Sequence, residues 1–256
     1  MAPFIHPTRG PLHLGRPSVS PRSRKMMAKA FLMHEFLNQL PEAPEVCDDT
    51  SGILNWGQML NDRLGLCTCA ACGHLIQGWT AKSGKEVTVP DSAILTEYEQ
   101  ACGYNPADPS TDQGGIIASV LDYFRDTGVG GHKIAAHAEV NLTQMRVQQA
   151  LWIFGGLDLG VALPITAQDQ VGEVWDVVDF AQSSEAQPGS WGGHSVAAVY
   201  YSPNGVDCVT WGQIQRMTWR FFMYYVEEAH ACISPDWKGG PVPLDQLSSD
   251  LASVGM

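Results

Sequence analysis

Apolar residues recur at helical spacing in several stretches and at strand spacing in others. Over 26–40, Met27, Phe31, Leu37 and Leu40 mark one face of a helix that Pro41 and Pro44 end. Over 67–79, Cys72, Leu75, Ile76 and Trp79 share a face, and Ala70, Ala71 and Gly73 let that helix pack closely, so it is predicted to be buried. Pro90-Asp91-Ser92 opens a helix over 93–102, a further helix over 116–126 ends at Gly128, and Asn141-Leu142-Thr143 opens another over 144–154. Short strands are expected over 86–89 and 133–140. A longer one runs from His194 through 196–201 to a turn at Ser202-Pro203-Asn204-Gly205, returns over 206–210, and is followed by a closing strand at 229–233. The aromatic run over 217–226 fits a helix or a strand and reads as core packing.

Composition narrows the possibilities. The chain has 256 residues, 45% of them hydrophobic, enough for one large domain or two small lobes around a cleft. Its net charge is −12, unevenly spread: residues 1–30 carry six of the 15 bases and none of the 27 acids. The acidic body argues against nucleic acid as a ligand. We divide the chain into a basic tail and docking helix, 1–50, and a body, 51–256. The tail is an extended arm or a removable inhibitory segment, without a core of its own, and offers its charge to an acidic partner or to the protein's own body. No stretch is apolar and long enough for a membrane span, no secretory leader pattern is evident, and the seven cysteines are odd in number. A cytoplasmic or otherwise reducing compartment is the expectation.

The chemistry concentrates in Asn61-Asp62-Arg63-Leu64-Gly65-Leu66-Cys67, where an amide-bearing loop runs through a glycine into a cysteine that opens a helix. Unpaired N–H groups and the positive dipole end of a helix favour a thiolate, so Cys67 is expected to have a lowered pKa. Cys67, Cys69, Cys72 and His74 also look like a zinc cluster, but on one helix Cys67 and Cys69 point about 200° apart and four ligands cannot converge. No metal site is expected. Much later, Gly193-His194 opens the apolar strand.

These residues resemble the papain-like cysteine peptidases: an oxyanion-hole amide six before the cysteine (Asn61, where the family has glutamine), a glycine two before it (Gly65), the nucleophile (Cys67), and a strand-opening histidine (His194). Gln58 is the second choice for the amide donor. Asp112-Gln113-Gly114-Gly115 resembles the family's glycine pair that binds substrate backbone, and the Thr210-Trp211-Gly212 run its Trp-Gly pair, one residue early. In the family an asparagine sixteen after the histidine orients the imidazole; here that place is Thr210, while Asp207 falls on the opposite strand face. The disulfide cysteine that secreted members place three before the nucleophile is Leu64 here.

The resemblance implies an α+β fold, a helical lobe carrying the nucleophile helix packed on a mainly antiparallel sheet lobe. It implies a cysteine hydrolase, peptidase or amidase, working through a Cys67–His194 dyad and a thioester, with Asn61 and Thr210 assisting. Gly65, Gly114, Gly115, Gly193 and Trp211 would line the substrate site, the substrate would be a peptide or amide, and no cofactor would be required. The alternative is a weak or inactive fold of this kind, serving as a structural or binding component of a larger assembly. Thr210 favours that alternative.

Overall fold

The computed structural model describes residues 3–17, 24–178 and 183–254. In chain order the elements are a hairpin, β1 (Phe4–His6) and β2 (Gly10–Leu12), then α1 (Arg24–Asn38), β3 (Cys47–Asp48), α2 (Cys67–Lys82), α3 (Asp91–Cys102) and α4 (Ile117–Asp126). There follow β4 (Ala136–Glu139), α5 (Gln144–Phe154), β5 (Leu157–Leu163), β6 (Val174–Trp175), β7 (Gly192–Ser202), β8 (Gly205–Thr210) and β9 (Gln213–Thr218). The chain then forms α6 (Trp219–Tyr225), β10 (Val226–Ile233) and α7 (Asp245–Ser253).

Among the described residues one main sheet runs β4-β10-β5-β7-β8-β9-β6, with β3 added to β7. Every pairing in it is antiparallel except β6 with β9. β7 is apolar along almost its whole length because both of its faces are covered. Ala197 and Val199 point into a cluster with Leu75, Ile76 and Trp79 of α2 and with α3 and α4, while Val196 and Ala198 point into a second cluster with α5 and β5. The two-residue alternation of the strand thus joins a helical lobe to a sheet lobe. α2 is buried from Cys67 through Thr80, and Gly73 lets Met59 pass: a Cβ there would meet the Met59 sulfur at 2.3 Å.

The α+β architecture matches the expectation, with local differences. Residues 86–89 form no strand, because they bond to α2 side chains instead: Val87 N–H donates to Thr80 Oγ1 at 2.9 Å and Gln77 Nε2 donates to Glu86 Oε1 at 2.6 Å. The strand expected to close the sheet is interior, with β10 lying between β4 and β5. The aromatic run resolves as helix α6, started by the Thr218 hydroxyl accepting from Phe221 N–H at 3.0 Å.

The N-terminal residues differ most from the reading of a coreless tail. Leu12 is 1% exposed and belongs to the sheet-side core, and Phe4 packs edge-on against Trp191 with ring centroids 5.5 Å apart. Pro, His and Arg interrupt these few apolar positions, so no periodicity marks them. Across the position-50 boundary, β3 pairs with β7 and α1 packs against β4. No helix of the described residues is long and apolar enough to cross a membrane.

Candidate active site

Cys67 is the first residue of α2 and is 1% exposed. Its Sγ accepts a hydrogen bond from Ser195 N–H at 3.4 Å, which sets the sulfur beside the residue that follows His194. Strand pairing positions that histidine: β7 lies between β5 and β8, with His194 opposite Val161. Sixteen residues on, at the end of β8, Thr210 Oγ1 is 2.6 Å from His194 Nε2. Trp211 stacks on the imidazole, centroids 4.4 Å apart and planes 17° apart, and holds a positive φ of 47° to do so. His194 Nδ1 is buried and has no hydrogen-bond partner. Asp207 is engaged elsewhere, with Arg216 at 3.5 Å.

Asn61 comes from a tight loop in which Met59 and Leu60 hold positive φ values of 49° and 65° and Asn61 N–H donates to Gln58 carbonyl at 2.9 Å. Backbone held in that region by non-glycine residues costs of order 1–3 kcal/mol each, and here it turns the Asn61 amide inward while Gln58 stays exposed. The Asn61 Nδ2 donates to the Leu64 carbonyl at 3.1 Å and to the His13 carbonyl at 3.4 Å.

His13 belongs to a strap formed by residues 13–17, which crosses the site. Trp211 Nε1 donates to the same His13 carbonyl at 3.1 Å, Gly115 N–H donates to the Gly15 carbonyl at 2.8 Å, and Arg16 N–H donates to the Gly193 carbonyl at 3.1 Å. The glycines permit this approach: a Cβ on Gly114 would meet Gly15 O at 1.5 Å, one on Gly193 would meet Arg16 O at 2.1 Å, and one on Gly65 would meet Leu14 O at 3.0 Å. Gly65, Gly114, Gly115, Gly193 and Trp211, the five residues singled out for substrate binding, therefore all touch the strap.

Burial sets the electrostatics. The Cys67 thiol is pushed up to about 12 by desolvation, with the Ser195 and Gly15 N–H groups opposing. This reverses the lowering expected from the helix terminus, because a buried thiolate loses more solvation than two N–H groups restore. His194 is pulled down to about 3 by desolvation and then by the charge of Arg16. Both groups are neutral while the strap is in place.

Sequence reading missed two supporting residues. Asp112 accepts from Gly65 N–H at 3.0 Å and from Tyr98 hydroxyl at 2.6 Å, and Tyr98 Oη accepts from Gly114 N–H at 2.9 Å. They tie the loop before Cys67 to the glycine pair, and only the adjacency of Asp112 to that pair hinted at it. All seven cysteines are free thiols, and no group of three or more His, Cys, Asp or Glu among the described residues is placed to hold a metal.

No protein-family model and no curated protein matches the sequence. Solved structures do resemble it in shape. Xylellain, a cysteine protease from Xylella fastidiosa, superposes with a TM-score of 0.56 at 13% identity, covering 90% of this chain and 94% of that one. A procathepsin B from Trypanosoma congolense gives 0.53 at 11%, over 88% and 86% of the two chains. The Carica candamarcensis cysteine protease CMS1MS2 gives 0.52 at 14%, over 74% and 98%. With the order of elements and the placing of Cys67 at a helix start beside Ser195, the residue after His194, these likenesses show that the chain has the papain-like α+β fold in a highly divergent sequence.

Proposed function

We propose that the protein is a papain-like cysteine hydrolase, a peptidase or amidase, whose cleft is occupied by its own strap. The observation that carries this reading is the arrangement around His194: Nε2 on Thr210, Nδ1 buried without a partner, and the next residue's N–H on the Cys67 sulfur. The free ring nitrogen is the group that a thiol proton needs. With the strap displaced, His194 Nδ1 takes the Cys67 proton and the thiolate attacks the substrate carbonyl carbon. The electron pair moves to the carbonyl oxygen, where Asn61 Nδ2–H and the Cys67 N–H hold it, a donor being worth about 10²–10³ in rate at comparable sites. Collapse expels the amine, which takes the proton from His194, and water then releases the acid from the thioester.

The strap supports the same reading by mimicry. The His13 carbonyl occupies the amide donor of Asn61 and the Gly15 carbonyl occupies Gly115 N–H, the places that a substrate backbone would use. The second reading, a binding fold without turnover, draws on Thr210, whose short uncharged side chain orients an imidazole less firmly than an amide does. Reaction with a thiol-directed peptidyl epoxide, followed by peptide mapping, separates the two. A hydrolase is modified stoichiometrically at Cys67 once the strap is loosened, and Cys67→Ala abolishes it. Equal modification of all seven cysteines, or none at Cys67, would leave the binding fold.

A further inference from the structure

α3 presents two side chains to the glycine pair, one helical turn apart. Tyr98 Oη accepts from Gly114 N–H at 2.9 Å, and four residues on Cys102 lies against Gly115: a Cβ on that glycine would meet Cys102 Sγ at 2.6 Å. The same Cβ would meet Thr68 Oγ1 of α2 at 2.6 Å, so a sulfur and a hydroxyl fill the space that a side chain would take. Thr68 Oγ1 is buried and makes no hydrogen bond. Cys69, next along α2, is 0% exposed, and Cys102, partly open to solvent, packs against the cluster that holds it. Within that cluster the Cys69 thiol donates to the Cys102 sulfur. Neither cysteine stands where secreted papain-like enzymes carry the disulfide cysteine before the nucleophile, a place that Leu64 fills here.

We infer that Cys102 and Cys69 form a peroxide-sensing thiol pair, with Cys102 as the sulfur that is oxidised and Cys69 as the one that closes the disulfide. Access and charge divide the roles. Solvent reaches Cys102 and not Cys69. The hydrogen bond from Cys69 holds the Cys102 thiol below its ordinary range against burial, whereas desolvation holds Cys69 well above it. The unpartnered Thr68 hydroxyl is a second donor for an ionised Cys102. In the first step the Cys102 thiolate attacks one oxygen of hydrogen peroxide: the O–O bond breaks, hydroxide leaves, and the sulfur, oxidised by two electrons, becomes a sulfenic acid. The Cys69 sulfur then attacks the Cys102 sulfur, and the S–H proton leaves with the sulfenic hydroxyl as water. An S–S bond now links the last residue of α3 to the first turn of α2. It draws the Cys102 sulfur away from Gly115, whose N–H holds the Gly15 carbonyl of the strap. Turnover at Cys67 plays no part in either step.

The test exposes the full chain to a small excess of hydrogen peroxide near neutral pH, blocks the remaining thiols with N-ethylmaleimide in denaturant, and maps the peptides without reduction. A Cys69–Cys102 disulfide is expected as the first product, formed at least about tenfold faster than oxidation of any other cysteine and released by dithiothreitol. Because the bridge closes residues 69–102 into one loop, the oxidised protein is expected to melt several degrees higher than the reduced one. In Cys69→Ser, Cys102 is expected to accumulate as a sulfenic acid that dimedone traps, and in Cys102→Ser, Cys69 is expected to stay reduced. Should either variant not fold, the peptide map of the unsubstituted chain decides alone. First oxidation at Cys67 or at another cysteine, a Cys102 sulfinic acid with Cys69 still reduced, or no oxidation at Cys102 at all would overturn the pair.

Discussion

Thr210 Oγ1 sits 2.6 Å from His194 Nε2, with Trp211 stacked across the same ring. The contact fixes the ring plane with a hydroxyl where an amide carbonyl is the familiar device, and it leaves Nδ1 without a hydrogen-bond partner. Thr210→Val keeps the shape and removes the oxygen, so in a strap-loosened background the alkylation rate of Cys67 near neutral pH is expected to fall about tenfold, while Thr210→Ser retains most of it. The pH profile of iodoacetamide modification reads this. Identical profiles for all three proteins would mean that Thr210 does not act on His194.

The strap is held closed by fit as much as by charge. Gly15 does not hold a positive φ, yet a Cβ there would meet Gly65 O at 1.5 Å, a backbone atom that cannot step aside. Gly15→Ala is therefore expected to lift the strap without straining its own backbone. With the thiol at about 12 in the closed protein, Cys67 is nearly unreactive at neutral pH, and Gly15→Ala should raise its alkylation rate at least about tenfold. An unchanged rate would show that the strap does not gate the thiol.

Three buried histidines set the response to acid. His74 and His137 are pulled down to about 4 and His194 to about 3, in each case mainly by burial. The unfolded chain takes up these protons near pH 6.5 and the native protein does not, so the stability is present above pH 6.5 and is lost as the pH falls towards 4. Asp158, pushed up to about 7 by burial, acts in the opposite sense, because its native form binds a proton before the unfolded form does. Glu97, held well above the usual carboxylate range by burial, acts with Asp158, so the net is about one histidine at roughly 3 kcal/mol. The melting temperature is expected to drop by several degrees between pH 7 and pH 4. A flat profile would contradict the buried neutral state of these rings.

The helices over 67–82 and 144–154 and the hairpin through Gly205 were legible because their periodicity and turn residues act locally. Cys67, His194, Asn61, Gly65 and the Gly114-Gly115 pair were legible through spacing, and the structure brings all of them to one place. The strap was not legible. Leu12 and Arg16 are single positions in a run of Pro, Arg and His, and what fixes them is a distant partner each: the sheet core for Leu12, and Glu227 and Glu228 for Arg16. For the same reason, removing residues 1–17 is expected to lower the melting temperature by several degrees, since burying a leucine contributes about 2 kcal/mol. An unchanged melting curve would return these residues to a dispensable arm.

Asp112 carries the last expectation. Its Oδ1 accepts from both Gly65 N–H at 3.0 Å and Tyr98 hydroxyl at 2.6 Å, and Tyr98 in turn holds Gly114 N–H at 2.9 Å. One carboxylate thus joins the loop before Cys67 to the glycine pair in a protein whose seven cysteines are all free thiols. Asp112→Ala leaves two partly buried donors without an acceptor, a loss of about 2–4 kcal/mol, whereas Asp112→Asn keeps one carbonyl oxygen and loses about half as much. Tyr98→Phe breaks the same chain from the other side. If the three groups form a single link, the double variant Asp112→Ala, Tyr98→Phe should be less destabilised than the sum of the two single variants by about 1 kcal/mol or more in urea unfolding. Strict additivity would mean that Asp112 and Tyr98 support the two loops separately, and the proposed coupling between the nucleophile loop and the glycine pair would fall.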